Sequence, residues 1–75
     1  MKVVFLIEGT SETVTVDMPI IPRVGEQVFL NDFIDEKQAI SLTEKGVKLD
    51  SEVVNHVGWM KDENGIYVSV FLNEE

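Results

Sequence analysis

The chain has no cysteine, which excludes a disulfide framework and a thiolate metal site. It has one histidine, His56. Zinc takes three or four protein ligands, and dispersed carboxylates do not complete such a set. Basic residues are scarce. Six Lys and Arg stand against fourteen Asp and Glu, a net charge of −8. The six (Lys2, Arg23, Lys37, Lys45, Lys48 and Lys61) are scattered along the chain. Nucleic-acid binding draws most of its affinity from cations set against phosphates, so neither DNA, RNA nor an anionic membrane surface is an expected partner. Long apolar runs are missing too. "VVFLI", residues 3–7, is the longest near the start. It falls far short of the roughly 20 apolar residues of a membrane span. It is also too short for a signal-peptide core, and no small-residue cleavage site follows. The expectation is one soluble, cytoplasmic domain over residues 1–75.

Catalytic patterns are missing as well. A nucleophile needs an adjacent base, and none of Ser11, Ser41, Ser51 or Ser69 stands in a Gly-x-Ser-x-Gly elbow. His56 lies beside Asn55 in an apolar strand and reads as structural or exposed. Asp35–Glu36, Asp62–Glu63 and Glu74–Glu75 pair carboxylates, but each pair falls in a predicted turn or end, where solvated acids are ordinary. "DENG", residues 62–65, lacks the ligand order and distal glutamate of a calcium loop. No enzymatic activity, cofactor or metal is expected.

What the chain does have is β patterning. "KVVFLIE", residues 2–8, is β-branched, aromatic and apolar and reads as a strand. "GTSE" then turns. "TVTVDM", residues 13–18, alternates, with Val14, Val16 and Met18 on one face and Thr13, Thr15 and Asp17 on the other. The two runs predict an amino-terminal hairpin.

"MPIIPRVGEQV", residues 18–28, follows. Pro19 lacks a ladder N–H and ends the second strand. Met18 and Ile21 each precede a proline and are pushed into extended conformations. Ile20 and Ile21 are expected to tuck under the sheet. Gly25 is a candidate for positive φ, and Val28 and Leu30 resume the alternation. Arg23 and Glu26 are candidates for an exposed recognition pair.

Residues 31–46, "NDFIDEKQAISLTEKG", have helical texture. Asn31 or Asp32 can cap the amino end and Gly46 can close the carboxyl end. Phe33, Ala39, Ile40 and Leu42 form an imperfect apolar stripe. One short helix near residues 32–45 is expected; the competing reading takes 38–42 and 46–49 as strands. The last third is a second hairpin: "VVNHVGWM" (53–60), a turn at "KDENG" (61–65), and "IYVSVFL" (66–72). Asn64-Gly65 suits a type I′ turn, which would set Trp59 opposite Val70 and Val57 opposite Leu72. The inward set is then Val57, Trp59, Ile66, Val68, Val70 and Leu72. Tyr67, Ser69 and Phe71 point outward, and "NEE" forms a solvated tail.

The stretch "RVGEQVFL" resembles the Gly-acidic-x-Val element that opens a strand in Src-homology-3-like small barrels, including KOW-type domains. "VGWM" with "NGIYVSVFL" resembles their closing hairpin. The same order of elements is similar to short bacterial proteins, some associated with phage or mobile elements. The resemblance implies a mainly β fold, a small barrel or roll of about five antiparallel strands, with the short helix as an addition (α+β and all-β are the alternatives). It implies no activity. Ligand-binding members use an aromatic groove or a basic face, and here aromatics are few and the basic face is missing.

Two functions fit these residues. The first is a small protein-interaction module. It would use an outer apolar strip of Phe29, Tyr67 and Phe71 with Arg23 and Glu26 at the rim, binding an unidentified protein or a second copy. Open sheet edges such as the first strand could add pairing. The second is an acidic mimic that occupies the basic groove of a nucleic-acid-binding protein.

Overall fold

The alternation at residues 13–18 and the apolar run before it do pair. The computed structural model describes residues 1–47, 49 and 52–74. In it β1 (Lys2–Ile7) and β2 (Thr13–Asp17) form an antiparallel hairpin with Val3 opposite Val16 and Phe5 opposite Val14. Next come a two-residue strand β3 (Gln27–Val28), a 3-10 turn (Leu30–Asp32) and helix α1 (Glu36–Glu44). The long strands β4 (Glu52–Asp62) and β5 (Gly65–Glu74) complete the chain. The five strands form one sheet in the order β2-β1-β5-β4-β3, curled into a half-barrel. The fold is mainly β with one short helix, as in a small barrel or roll. No helix among the described residues is long and apolar enough to cross a membrane.

One pairing departs from the all-antiparallel expectation. β1 and β5 run parallel at the centre, Val3 beside Val68 and Ile7 beside Leu72. The sheet is therefore mixed, and β1 is not an open edge. Its sequence from Val3 on is apolar at every position: Val3, Phe5 and Ile7 are buried in the core, and Val4 and Leu6 are half-buried on the opposite face.

The core lies on one face of the sheet. Val3, Phe5 and Ile7 of β1 meet Val68, Val70 and Leu72 of β5, joined by Val14 and Val54. Leu30, Leu42, Val47 and Leu49 belong to the same buried cluster, with Ile34 and Ala39 packed against it. Each fully buried large side chain contributes about 1.5–3 kcal/mol, so the segment after β3 contributes strongly. Of the expected stripe, Leu42 is buried and Ala39 half-buried, whereas Phe33 and Ile40 are exposed. Ile34 takes the inward place instead. Glu52 is also buried, which nothing in the pattern announced.

Helix α1 starts later than Asn31 or Asp32 would put it. Those residues enter the 3-10 turn, and Asp35 caps α1 by accepting the Gln38 N–H at 2.7 Å. The spacing Asp-x-x-Gln is that of a capping box. At the other end Gly46 adopts φ +84°. Its N–H donates to Thr43 O at 3.0 Å, and the Val47 N–H donates to Leu42 O at 3.1 Å. This is a Schellman closure, with the buried Leu42 and Val47 as its apolar contact. The helix therefore replaces the strand reading of 38–42. Lys48, part of the other alternative strand, lies outside the described residues.

The second hairpin forms with its register slid by two. Trp59 pairs with Val68 and Val57 with Val70. The two turn residues are Glu63 and Asn64, and the Asn64 N–H donates to Asp62 Oδ1 at 2.8 Å. Positive φ falls on Gly65 alone, at +123°, so the type I′ turn does not form. A slide of two keeps every side chain on its face. Asn55 is a bulge residue between the pairs Val54–Leu72 and His56–Phe71. It returns Val57 to the inner face although Val54 is already there.

Parity alone did not decide burial. Trp59, on a length of β4 that β3 does not reach, is 62% exposed, and Ile66, beyond the end of β1, is 63% exposed. The expected solvated tail also differs. Asn73 and Glu74 extend β5, Asn73 is half-buried, and Glu75 lies outside the described residues.

Candidate functional site

Pro19 stops β2, and the chain then crosses beneath the sheet. The chain bends at Pro19 and Ile20, and Ile20 and Ile21 do not both tuck in. Ile21 is half-buried against the core with Met18, whereas Ile20 is 76% exposed. Gly25, at φ +93°, brings the chain back onto β4. Its N–H donates to Val54 O, and the Val54 N–H donates to Glu26 O, both at 2.9 Å. Val28 and Leu30 then bury their side chains, leaving Phe29 46% exposed and Phe33 43% exposed.

These two stretches enclose a groove of about 260 Å³. Met18, Ile20, Ile21 and Pro22 line it from the proline segment, and Val28, Phe29 and Phe33 from beyond β3; Glu26, Gln27 and Asp32 also line it. Small-molecule sites usually enclose about 300–1,000 Å³. This groove is smaller and suits one or two side chains of a larger partner.

Arg23 and Glu26 are engaged with each other. The Arg23 N–H donates to Glu26 Oε1, the guanidinium lies 3.7 Å from Oε2, and the Glu26 N–H donates to Arg23 O at 3.0 Å. The pair braces the turn that carries Gly25. An exposed ion pair of this kind is worth about 0–1 kcal/mol. Asp32, by contrast, has no ion-pair partner among the described residues.

Tyr67 and Phe71 are elsewhere. They lie on the outer face of the sheet, opposite the core, with Val4 and Leu6 of β1 and His56, Gly58 and Met60 of β4. Helix α1 packs on the other side and does not cover them. Ser69, between them, is nonetheless buried at 3% exposure. Phe71 meets the His56 ring edge-on at 6.2 Å, and Lys2 Nζ stands 5.1 Å from the Tyr67 ring centre and 3.6 Å from Asp62. His56 and Phe71 also line a cleft of about 310 Å³ with Leu6, Ile7, Glu8, Thr10 and Asn55. The single strip of Phe29, Tyr67 and Phe71 thus divides into two surfaces. Phe29, with Glu26, belongs to the groove; Tyr67 and Phe71 belong to the outer face.

Sequence reasoning missed Ile20, Asp32 and Phe33 as parts of the groove. Their exposure depends on where residues 18–22 and 28–33 meet, which no local pattern records. No group of three or more His, Asp or Glu side chains among the described residues could hold a metal ion. No family model matches the chain, and no curated protein or solved structure matches it either.

Proposed function

We propose that this protein is a non-enzymatic interaction module whose groove takes apolar side chains from a segment of a partner protein. The observation that carries the reading is the concave apolar surface itself. Ile20, Phe29 and Phe33 line one groove while each stays at least 43% exposed. Exposed apolar patches rimmed by polar groups mark contact surfaces. The groove's polar lining is Glu26, Gln27 and Asp32, so its margin is acidic. The partner segment is therefore one that carries Lys or Arg beside its apolar anchors.

Selection from a displayed peptide library tests this. The wild-type protein should retain peptides with an aliphatic or aromatic pair flanked by basic residues. Ile20→Ser and Phe33→Ser should lose them while keeping the fold, since both side chains are exposed. Retention unchanged in both variants would overturn the reading. The acidic-mimic alternative has the charge of −8 behind it. However, Glu8 and Glu12 flank the β1–β2 turn, Glu36 and Glu44 bound α1, and Glu63 lies in the β4–β5 turn. Mimicry also gives no role to the apolar groove. Release of a basic partner at modest salt would favour it.

A further inference from the structure

The far edge of β4 is open. β3 pairs only with Glu52 and Val53, and the turn at Gly25–Glu26 takes both backbone groups of Val54. Among the described residues, no strand adjoins that side of β4 beyond Val54. Antiparallel ladders alternate between residues that exchange both hydrogen bonds with the partner strand and residues whose groups point away from it. Val54, opposite Leu72, points away from β5. Hence Val57, Trp59 and Lys61, opposite Val70, Val68 and Ile66, do the same. Their N–H and C=O groups face outward along about 13 Å of extended chain. Trp59, 62% exposed, stands at the middle of this stretch.

We propose that this edge pairs with the same edge of a second copy, joining the two five-stranded sheets into one through adjacent antiparallel β4 strands. The sequence fits itself under a two-fold axis. Outward residues must meet outward residues, and the register that uses all three sets Trp59 opposite Trp59 of the second copy and Val57 opposite its Lys61. On the other face the same register sets His56 opposite Asp62 and Gly58 opposite Met60. No like charges face each other, and the only opposed ionisable pair is His56 with an acid. Gly58 leaves room for the methionine, since a Cβ built there meets nothing within 4 Å. Each copy carries −8, but residues 56–62 contribute one Lys and one Asp, so the joining surface is locally neutral. This interface does not use the groove and stands independently of the partner proposed for it.

Sedimentation of the full chain across a concentration series tests the pairing. The expected result is a species of twice the 8.5 kDa chain mass. Lys61→Pro removes one outward N–H and no β4–β5 hydrogen bond; Trp59→Lys sets two like charges across the axis. Either change should weaken the dimer about tenfold or more, equivalent to about 1.4 kcal/mol. Circular dichroism reports whether each variant keeps its fold, and Trp59→Lys decides the matter where proline disturbs the arm. A wild-type chain that stays monomeric throughout overturns the proposal, as does a dimer that persists unchanged in Trp59→Lys.

Discussion

Gly46 closes helix α1 at φ +84°, and Gly58 lies in β4 without a positive φ. A Cβ added at either position meets no atom within 4 Å. Alanine at the two sites therefore differs in backbone conformation, not in crowding. At Gly46 it enters the left-handed region, at a cost of about 1–2 kcal/mol. The stiffer unfolded chain returns about 0.4–1 kcal/mol of that. The net loss is about 1 kcal/mol, or about 4–8 °C in Tm for a chain of this size. At Gly58 the left-handed penalty is missing, and alanine in a strand is favoured over glycine by about 0.5–1 kcal/mol. Gly58→Ala should hold Tm or raise it by a few degrees. Thermal unfolding followed by circular dichroism reads both. Equal losses in the two variants, or no loss in Gly46→Ala, would refute the reasoning.

Three further outcomes follow from the packing and electrostatics. Phe5 is fully buried, so Phe5→Ala should cost about 3–5 kcal/mol, much of the stability of so small a domain, read as a fall in the urea midpoint. Asp35→Ala removes the α1 cap and should cost about 1 kcal/mol, with amide exchange rising at Gln38. The ammonium of Met1, 2.7 Å from Asp17 Oδ1, holds that carboxyl below its ordinary value. The stabilisation is present above the unfolded pKa of about 3.9 and is lost as pH falls through the lower folded value. Asp17→Asn should therefore lower Tm slightly at neutral pH and leave it unchanged in strong acid.

Local chemistry was legible wherever it alone decides structure. "TVTVDM" alternates and pairs as read, Pro19 ends β2, and Gly25 and Gly46 take positive φ. Side-chain faces in β4 and β5 survived a register error because the slide was even. Burial was less legible. Trp59 has core parity, but its exposure depends on how far β3 extends beside β4. The bulge at Asn55 is set by pairing across the sheet, and the parallel pairing of β1 with β5 by the path of the whole chain. The candidate site was half legible. Phe29 and Glu26 were singled out, but the groove exists only because Ile20 and Phe33, thirteen residues apart in the chain, line the same hollow.

The most direct measurement of the groove's role is an amide-shift titration of isotope-labelled protein with a peptide bearing a leucine–phenylalanine pair between lysines. The predicted shifts cluster at Ile20, Ile21, Gln27, Phe29 and Phe33 and disappear in Phe33→Ser. Shifts confined to Leu6, Tyr67 and Phe71 would move the binding surface to the outer face of the sheet and contradict the account.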